Sequence, residues 1–190
     1  MGDVSPIDPD APAATDPSRP SALLRAAVDT EKHVARSGWD QPPRLFALVR
    51  TALLREREPS LAGQLADPED DGFTAVEQER LPPTADLESL LGRMAWPPDV
   101  EGVALSVERI VVPPEAEREL PQGPREATDA LMAHPDRKDV RLLAACLRDG
   151  SRTCLLRQRD FDEDDAVAVG PDIAPGLTHA LASTLVDGSD

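Results

Sequence analysis

The clearest hydrophobic pattern in the chain lies in the segment Val140 to Arg159. Apolar residues fill both alternating sets of positions on either side of Asp149-Gly150, a pair that favours a two-residue hairpin turn. A strand face that meets water carries polar residues at every second position, and neither face of this segment does. The pattern therefore predicts a β-hairpin that is central in its sheet and covered on both faces.

A two-residue turn also determines which residues of the hairpin lie opposite each other. It places Ala145 opposite Cys154, so that Cys146 and Cys154 project from opposite faces. A three-residue loop is the alternative, and it is expected to bring the two cysteines directly opposite each other. We predict two buried, reduced thiols, because an isolated cysteine is commonly a small core residue.

Several segments have the spacing of amphipathic helices. The first begins at Ser21, a residue that favours the N-terminal cap position, and ends near Gly38, which favours the C-terminal end. The same spacing predicts helices over Asp86–Met94, Arg125–Ala133 and Leu177–Val186, and a helix over Thr51–Leu65 with an interruption at Pro59.

Short runs of bulky apolar residues predict the other strands. They cover Arg44–Arg50, Phe73–Arg80 as an edge strand, Val103–Val112 and Ala166–Val169. Apolar residues change face after Val107, which predicts a bulge near Glu108-Arg109. This order of elements indicates an α+β fold with a mixed, mostly antiparallel sheet, a C-terminal β-hairpin and flanking helices.

Length and composition indicate one domain preceded by a tail. Residues 1–20 contain five prolines and little apolar surface, which predicts disorder. Residues 21–186 are expected to form the single α+β domain, and residues 187–190 a frayed C-terminus. The 20 basic and 36 acidic residues give a net charge of −16, which disfavours nucleic acids and anionic membranes as partners. Without a membrane-length apolar run or a signal-peptide pattern, the expected location is the cytoplasm.

No group of residues matches a catalytic, phosphate-binding or metal-binding motif, so we predict no catalytic residue, no metal site and no cofactor. The acidic run Asp160–Asp165 resembles a calcium loop, but it lacks the required glycine and bidentate glutamate. We interpret it as a solvated loop beside Arg157 and Arg159. His134-Pro135-Asp136 also occurs in J-domain co-chaperones, but here a non-basic helix precedes it and a strand follows, which favours a simple turn.

The candidate binding residues are Trp39, Asp40 and Arg44, which surround the proline pair 42–43 between the first helix and the first strand. Tryptophan and arginine carry much of the binding energy at protein interfaces, and a tryptophan in a loop is well placed to meet a partner. The alternative interpretation is that Trp39 seals the end of a core that has few other aromatic residues.

Four unusual strings occur in order along the chain: GWDQPPRLFALV, VERIVVPPEAE, HPDRKDVRLLAACLRDG and VGPDIAPGLTHALASTL. Over about residues 21–186 they resemble an uncharacterised family of small, acidic, soluble proteins from actinobacteria. The resemblance implies a cytoplasmic protein of a high-GC Gram-positive source and carries over no activity or functional residues. By fold alone, such a protein is similar to secretion-chaperone-like domains, which dimerise and hold segments of their partners.

These observations leave open two functions of different classes. The first is a non-enzymatic protein-binding or chaperone-like module with a protein partner or a second copy as its ligand, motivated by the doubly apolar hairpin. The second is an enzyme or a small-ligand-binding protein with a site near Trp39 and Arg44. If the chain's own helices cover both faces of the hairpin, the hairpin gives no argument for an obligate partner.

Overall fold

A computed structural model describes residues 20–61, 63–65, 71–78, 81 and 87–186. The α-helices are α1 (Ala22–Ala35), α2 (Thr51–Arg57), α3 (Leu87–Leu91), α4 (Pro114–Arg118), α5 (Pro124–Ala133) and α6 (Pro175–Ser183). The strands are β1 (Arg44–Arg50), β2 (Phe73–Glu77), β3 (Val100–Val111), β4 (Lys138–Leu147), β5 (Arg152–Gln158) and β6 (Ala168–Gly170). The predicted tail, apart from Pro20, and residues 187–190 lie outside the described residues.

The strands form a single sheet in the order β2-β1-β3-β4-β5-β6, and every neighbouring pair is antiparallel. The predicted α+β fold is confirmed, with antiparallel pairing throughout the described strands in place of a mixed sheet. The hairpin strands β4 and β5 lie inside the sheet, as predicted, and β2 lies at an edge, also as predicted.

Helices of the chain itself cover both faces of the sheet. On one face, Ala27 and Val34 of α1 share an apolar cluster with Leu143 of β4. On the other face, Leu91 of α3 and Leu181 of α6 belong to the second apolar cluster. The doubly apolar hairpin is therefore explained by these two layers of helices, and it gives no argument for an obligate partner.

Local signals set the limits of α1 as the sequence predicted. The Oγ of Ser21 accepts a hydrogen bond from the N–H of Leu24 at 3.2 Å, which caps the N-terminus. Beyond the other end, Gly38 adopts a φ of +79°, a left-handed conformation that stops the helical path. This turn leads directly into Trp39 and places it at the end of the sheet.

The hairpin loop contains three residues, 148–150, so the predicted two-residue turn is wrong. Cys154 lies opposite Ala144 and not opposite Ala145. Gly150 has a φ of +89°, the left-handed conformation that a three-residue hairpin loop requires at this position. The shift of one residue turns every side chain of β5 to the face opposite the predicted one.

As a result, both cysteines lie on the face covered by α6 and not on opposite faces. Cys146 and Cys154 are buried and unbonded, which confirms the prediction of two reduced thiols. The three-residue loop does not bring them directly opposite each other, because Cys146 lies opposite Arg152. The Sγ of Cys146 instead donates to the carbonyl oxygen of Thr178 on α6 at 3.3 Å.

We expect neither cysteine to react in the folded protein. Burial raises the pKa of each thiol to about 11, and the thiolate is the nucleophile. At about pH 8, iodoacetamide should therefore leave the native protein unmodified and should alkylate Cys146 and Cys154 after unfolding in urea. Intact mass spectrometry counts the added groups, and rapid alkylation of the native protein would contradict this prediction.

β3 is regular through Glu108 and Arg109, so the bulge predicted there is wrong. The pairing of β3 with β4 continues without interruption along this stretch, and the irregularity of the sheet lies between Leu48 and Val49 of β1. The apolar residues change face after Val107 because the polar Arg109 follows it on the α6 face while the apolar Ile110 lies on the α1 face, and the pairing of the strand is unchanged.

The tripeptide His134-Pro135-Asp136 forms the turn between α5 and β4, as predicted. His134 follows the last residue of α5, and its Nδ1 accepts a hydrogen bond from the N–H of Asp136 at 3.1 Å. β4 then begins at Lys138. The local hydrogen bond accounts for the histidine and the aspartate as parts of a connection between helix and strand.

Candidate functional site around Trp39

A row of charged residues crosses the α1 face of the sheet near Trp39. Glu108 on β3 lies opposite Arg141 on β4, and Arg141 lies opposite Arg157 on β5. Alternation along the strands places them on the same face as the apolar residue Leu143. Arg141 is 1% exposed and Arg157 is 2% exposed. Because a buried charge is costly unless it is paired, the partners of these arginines determine the structure of this end of the sheet.

Carboxylates from two parts of the chain surround Arg157. Its Nε and Nη2 donate to the two carboxylate oxygens of Glu31 on α1, at 2.6 and 2.8 Å. Its Nη1 donates to Asp162 at 3.1 Å, and its Nη2 donates to Asp164 at 2.7 Å. The hydrogen bond with Glu31 is the main cause that raises the pKa of Arg157 above its usual range. The acidic run therefore lies beside Arg157, as predicted, and two of its carboxylates form ion pairs with that arginine.

Arg141 has fewer partners than Arg157. Its Nη2 donates to Glu108 Oε1 at 2.9 Å and also to the carbonyl oxygen of Gly38. Its Nε and Nη1 are buried and have no hydrogen-bond acceptor among the residues that the structure describes. The Cζ of Arg141 lies 4.4 Å from the ring centroid of Trp39. A desolvated cation–π contact of this kind contributes about 2 kcal/mol and offsets part of the cost of burial.

Trp39 is half-buried, and side chains from several parts of the chain contact it. Besides Arg141, Arg159 lies against its ring, with the Cζ 5.6 Å from the centroid. The indole N–H donates to Asp162 Oδ2 at 2.9 Å. Trp39 thus covers a buried arginine at the end of the core, and it is also fixed in a single orientation at the surface.

Asp40 has a φ of 65°, the left-handed conformation. Its N–H donates to Glu108 Oε2 at 2.8 Å, and its carboxylate accepts hydrogen bonds from Arg159 at 3.0 and 2.8 Å. The hydrogen bond from Arg159 is the main cause that lowers the pKa of Asp40, so the carboxylate is ionised at neutral pH. This ion pair orients Arg159 against the ring of Trp39.

A cavity of about 290 Å³ opens beside Trp39 and Asp40. Its apolar part includes Ile110, Val140 and Met132, and Met132 is 54% exposed. The charged side chains that line it are Asp40, Glu108, Asp139, Arg109, Arg137 and Arg159. The cavity therefore combines an apolar surface with carboxylates and guanidinium groups in similar number.

The structure separates Arg44 from the other two candidate residues. Arg44 donates through Nε and Nη2 to the carboxylate of Glu77 on β2, both at 2.6 Å. This hydrogen bonding lowers the pKa of Glu77. Arg44 also lies over Phe46, with the Cζ 5.6 Å from the ring centroid, and it is not among the residues that line the Trp39 cavity. Trp39 and Asp40 form one site, and Arg44 belongs to another part of the surface.

The buried charges that support Trp39 were not predicted from the sequence. The signal was present, because Arg141 and Arg157 stand within strands where the apolar alternation calls for an inward-facing residue. The predicted two-residue turn placed Arg141 opposite Gln158, whereas the observed register places it opposite Arg157. Glu31 gave no separate signal, since a glutamate on an amphipathic helix is ordinarily exposed.

The part of the chain that the structure describes holds no cluster of three or more His, Cys, Asp or Glu side chains that could bind a metal ion. None of the described helices is long and apolar enough to cross a membrane. The histidines lie far apart, with His33 on α1, His134 after α5 and His179 on α6.

Comparison with known proteins gives one match. No curated protein and no solved structure matches the chain. The sequence model of the family described as PPA1309-like protein matches residues 23–186, a range that contains β1 to β6 and the whole Trp39 site. This range agrees closely with the stretch over which the sequence resembles an uncharacterised family. The match spans most of the sequence, and the chain therefore belongs to the PPA1309-like family.

Proposed function

We propose that this chain is a cytoplasmic, non-enzymatic protein-binding module of a chaperone-like kind, and that the surface around Trp39 contacts its partner. The observation that carries the proposal is the fixed position of Trp39, which Arg141 and Arg159 both contact, beside a surface cavity. Tryptophan and arginine are enriched among the residues that dominate binding energy. A side chain that is already fixed loses little conformational entropy when a partner binds.

The chemistry of the cavity supports a protein ligand. Exposed Met132 and the half-buried Trp39 give it apolar contact area, and methionine and tryptophan are both enriched at interfaces. Charged residues line the same cavity, and protein interfaces commonly combine apolar contact area with polar residues. An apolar or amphipathic side chain of the partner fits such a cavity.

The composition supports the remaining parts of the proposal. A net charge of −16 repels the phosphate backbone, which favours a protein over a nucleic acid as the partner. The same acidic composition and the bias towards alanine, arginine, aspartate and proline are in keeping with the cytoplasm of an actinobacterium.

A small-ligand-binding protein or an enzyme is the second candidate, and one observation favours it. The Oδ1 of Asp139 is buried without a hydrogen-bond donor among the described residues, and Asp139 lines the cavity. A polar ligand that donates a hydrogen bond there would satisfy this atom. The cavity volume of about 290 Å³ is near the lower end for small-molecule sites.

Site-specific photo-crosslinking in an actinobacterial host tests the proposal. A photoreactive residue in place of Met132 should give a discrete adduct with one protein. The matched control carries the same residue in place of Val186, which is 73% exposed, and it should give no such adduct. An adduct at neither position, or the same adducts at both, would count against the proposal.

A thermal-shift screen of small metabolites tests the second candidate. A metabolite that raises the melting temperature of the wild-type chain but not of Asp139→Asn would identify the cavity as a small-molecule site. That result, together with no adduct at Met132, would replace the proposed function.

A further inference from the structure

The two edges of the sheet differ in how well they are protected against pairing with another strand. β6 covers only Ala168–Gly170 and is followed by Pro171, and a short strand next to a proline is a poor template for pairing. The opposite edge, β2, begins with the uncharged residues 73–76 and contains no proline. Among the described residues, β2 pairs only with β1. Within the described residues, this edge therefore has neither a proline nor a further strand to protect it from pairing.

Hydrogen bonds at both ends of β2 show which of its backbone groups face outward. The backbone N–H of Gln78 donates to the carbonyl oxygen of Leu45 at 2.8 Å, and the carbonyl oxygen of Gly72 accepts from the backbone N–H of Thr51 at 3.0 Å. Bonding alternates along an antiparallel pair. The N–H and C=O groups of residues 73, 75 and 77 therefore point away from β1, towards the position of a further strand.

A groove lies beside this edge, between β2, α1 and the residues Gln64 and Leu65 that follow α2. Its volume is about 380 Å³, and Phe46 and Ala75 give it apolar surface. Thr30, His33 and Asp29 line it from α1, and Glu77 lines it from β2. Alternate side chains of a strand added next to β2 would lie on this same face of the sheet. The groove is therefore placed to receive them.

We propose that β2 binds an extended, positively charged segment of a partner protein as an added strand, with side chains of that segment in the groove. Main-chain hydrogen bonds supply affinity in this mode of binding, and pockets for alternate side chains supply specificity. This surface is separate from Trp39 and does not depend on the function proposed for that site.

Charge decides between a basic partner and a second copy of the chain. Asp29 is exposed at the groove, and the side chain of Glu77 is 39% exposed, whereas that of its partner Arg44 is only 14% exposed. The charged groups that are exposed to solvent at the groove are therefore mainly carboxylates. Pairing β2 with β2 of a second copy would bring together two chains of net charge −16, which repel each other. A lysine or arginine also suits the groove because its stem packs on apolar surface while its charge stays in water.

Fluorescence anisotropy of a labelled synthetic peptide tests the proposal. The probe alternates lysine and valine over about six residues, a common strand length. It should bind the full chain, and a matched peptide that alternates glutamate and valine should not. If the lysine peptide does not bind, or if both peptides bind equally, the proposal is overturned.

Three variants of the chain test whether the peptide binds at β2 and the groove. Ala75→Pro removes an N–H that points away from β1, so it should weaken peptide binding at least about tenfold and leave the fold intact. Asp29→Lys should weaken binding by a similar factor through charge. Glu119→Lys makes the same change of net charge at an exposed position on α4's C-terminal side and should have little effect.

Each remaining outcome also decides the question. If Ala75→Pro fails to fold by circular dichroism, the comparison of Asp29→Lys with Glu119→Lys decides, and equal effects of the two would overturn the proposal. A wild-type dimer that Ala75→Pro converts to a monomer would show that β2 binds a second copy. All of these variants leave Trp39 unchanged, so failure here is distinguishable from failure of the function proposed for that surface.

Discussion

Replacing Arg157 with methionine should lower the free energy of unfolding by about 3–5 kcal/mol. The substitution removes the guanidinium that donates to both carboxylate oxygens of Glu31, a residue that is 3% exposed. Breaking a buried ion pair on one side leaves the other charge buried without compensation, and this is more costly than losing the pair as a whole. Urea unfolding followed by circular dichroism measures the change.

Two further variants separate this cause from a general effect of losing an arginine. Arg57→Met removes an exposed ion pair with Asp99 and should cost less than about 1 kcal/mol. The double variant Glu31→Leu with Arg157→Met removes both buried charges together, so it should recover most of the loss. If the double variant is as unstable as Arg157→Met alone, the buried charge of Glu31 is not the cause.

The sequence predicted elements of the fold well where a single local signal determines them. The limits of α1 follow from Ser21 and Gly38, and β1 lies where the bulky run Arg44–Arg50 was predicted to form a strand. Such signals act within a few residues and do not depend on the rest of the molecule. The predictions that failed, at the hairpin loop and in β3, concern how two strands pair or which apolar and polar side chains one face of a strand carries.

Contacts from distant parts of the chain explain the loop of three residues. The guanidinium of Arg148 donates to the carbonyl oxygens of Val100 at 2.9 Å, Leu185 at 2.5 Å and Trp96 at 3.1 Å. The backbone N–H of Arg148 also donates to the carbonyl oxygen of Glu101 on β3 at 2.8 Å. These tertiary contacts hold Arg148 in the loop, whereas Asp149-Gly150 alone favours a turn of two residues. Local turn preference could not reveal them.

The candidate site was predicted only in part for the same reason. Trp39 and Asp40 stand out in the sequence because a tryptophan next to a charged residue in a loop is unusual. The residues that fix Trp39 come from β4, β5 and the acidic run, and the Trp39–Asp162 hydrogen bond joins residues 123 positions apart. Nothing in the local pattern links such residues, so the site becomes visible only when the strands are assembled.

Substitution of Gly102 should have the second large effect on stability. A Cβ added at Gly102 on β3 would lie 2.6 Å from the carbonyl oxygen of Cys146 and 2.5 Å from a methyl group of Leu147 on β4. The backbone carbonyl cannot move without disturbing the pairing of β3 with β4. We expect Gly102→Ala to cost about 1–3 kcal/mol and Gly102→Val to cost more, because overpacking increases with each added methyl group.

Gly176→Ala is the matched control for this prediction. A Cβ at Gly176 would meet no atom within 4 Å, and the residue lies in α6, where alanine is favoured over glycine. The variant should therefore keep the wild-type stability or gain up to about 1 kcal/mol. Urea unfolding of the three variants gives the comparison. If Gly102→Val is as stable as Gly176→Ala, β3 and β4 do not approach each other as closely at Gly102 as the structure indicates, and the register of the central strands would have to be revised.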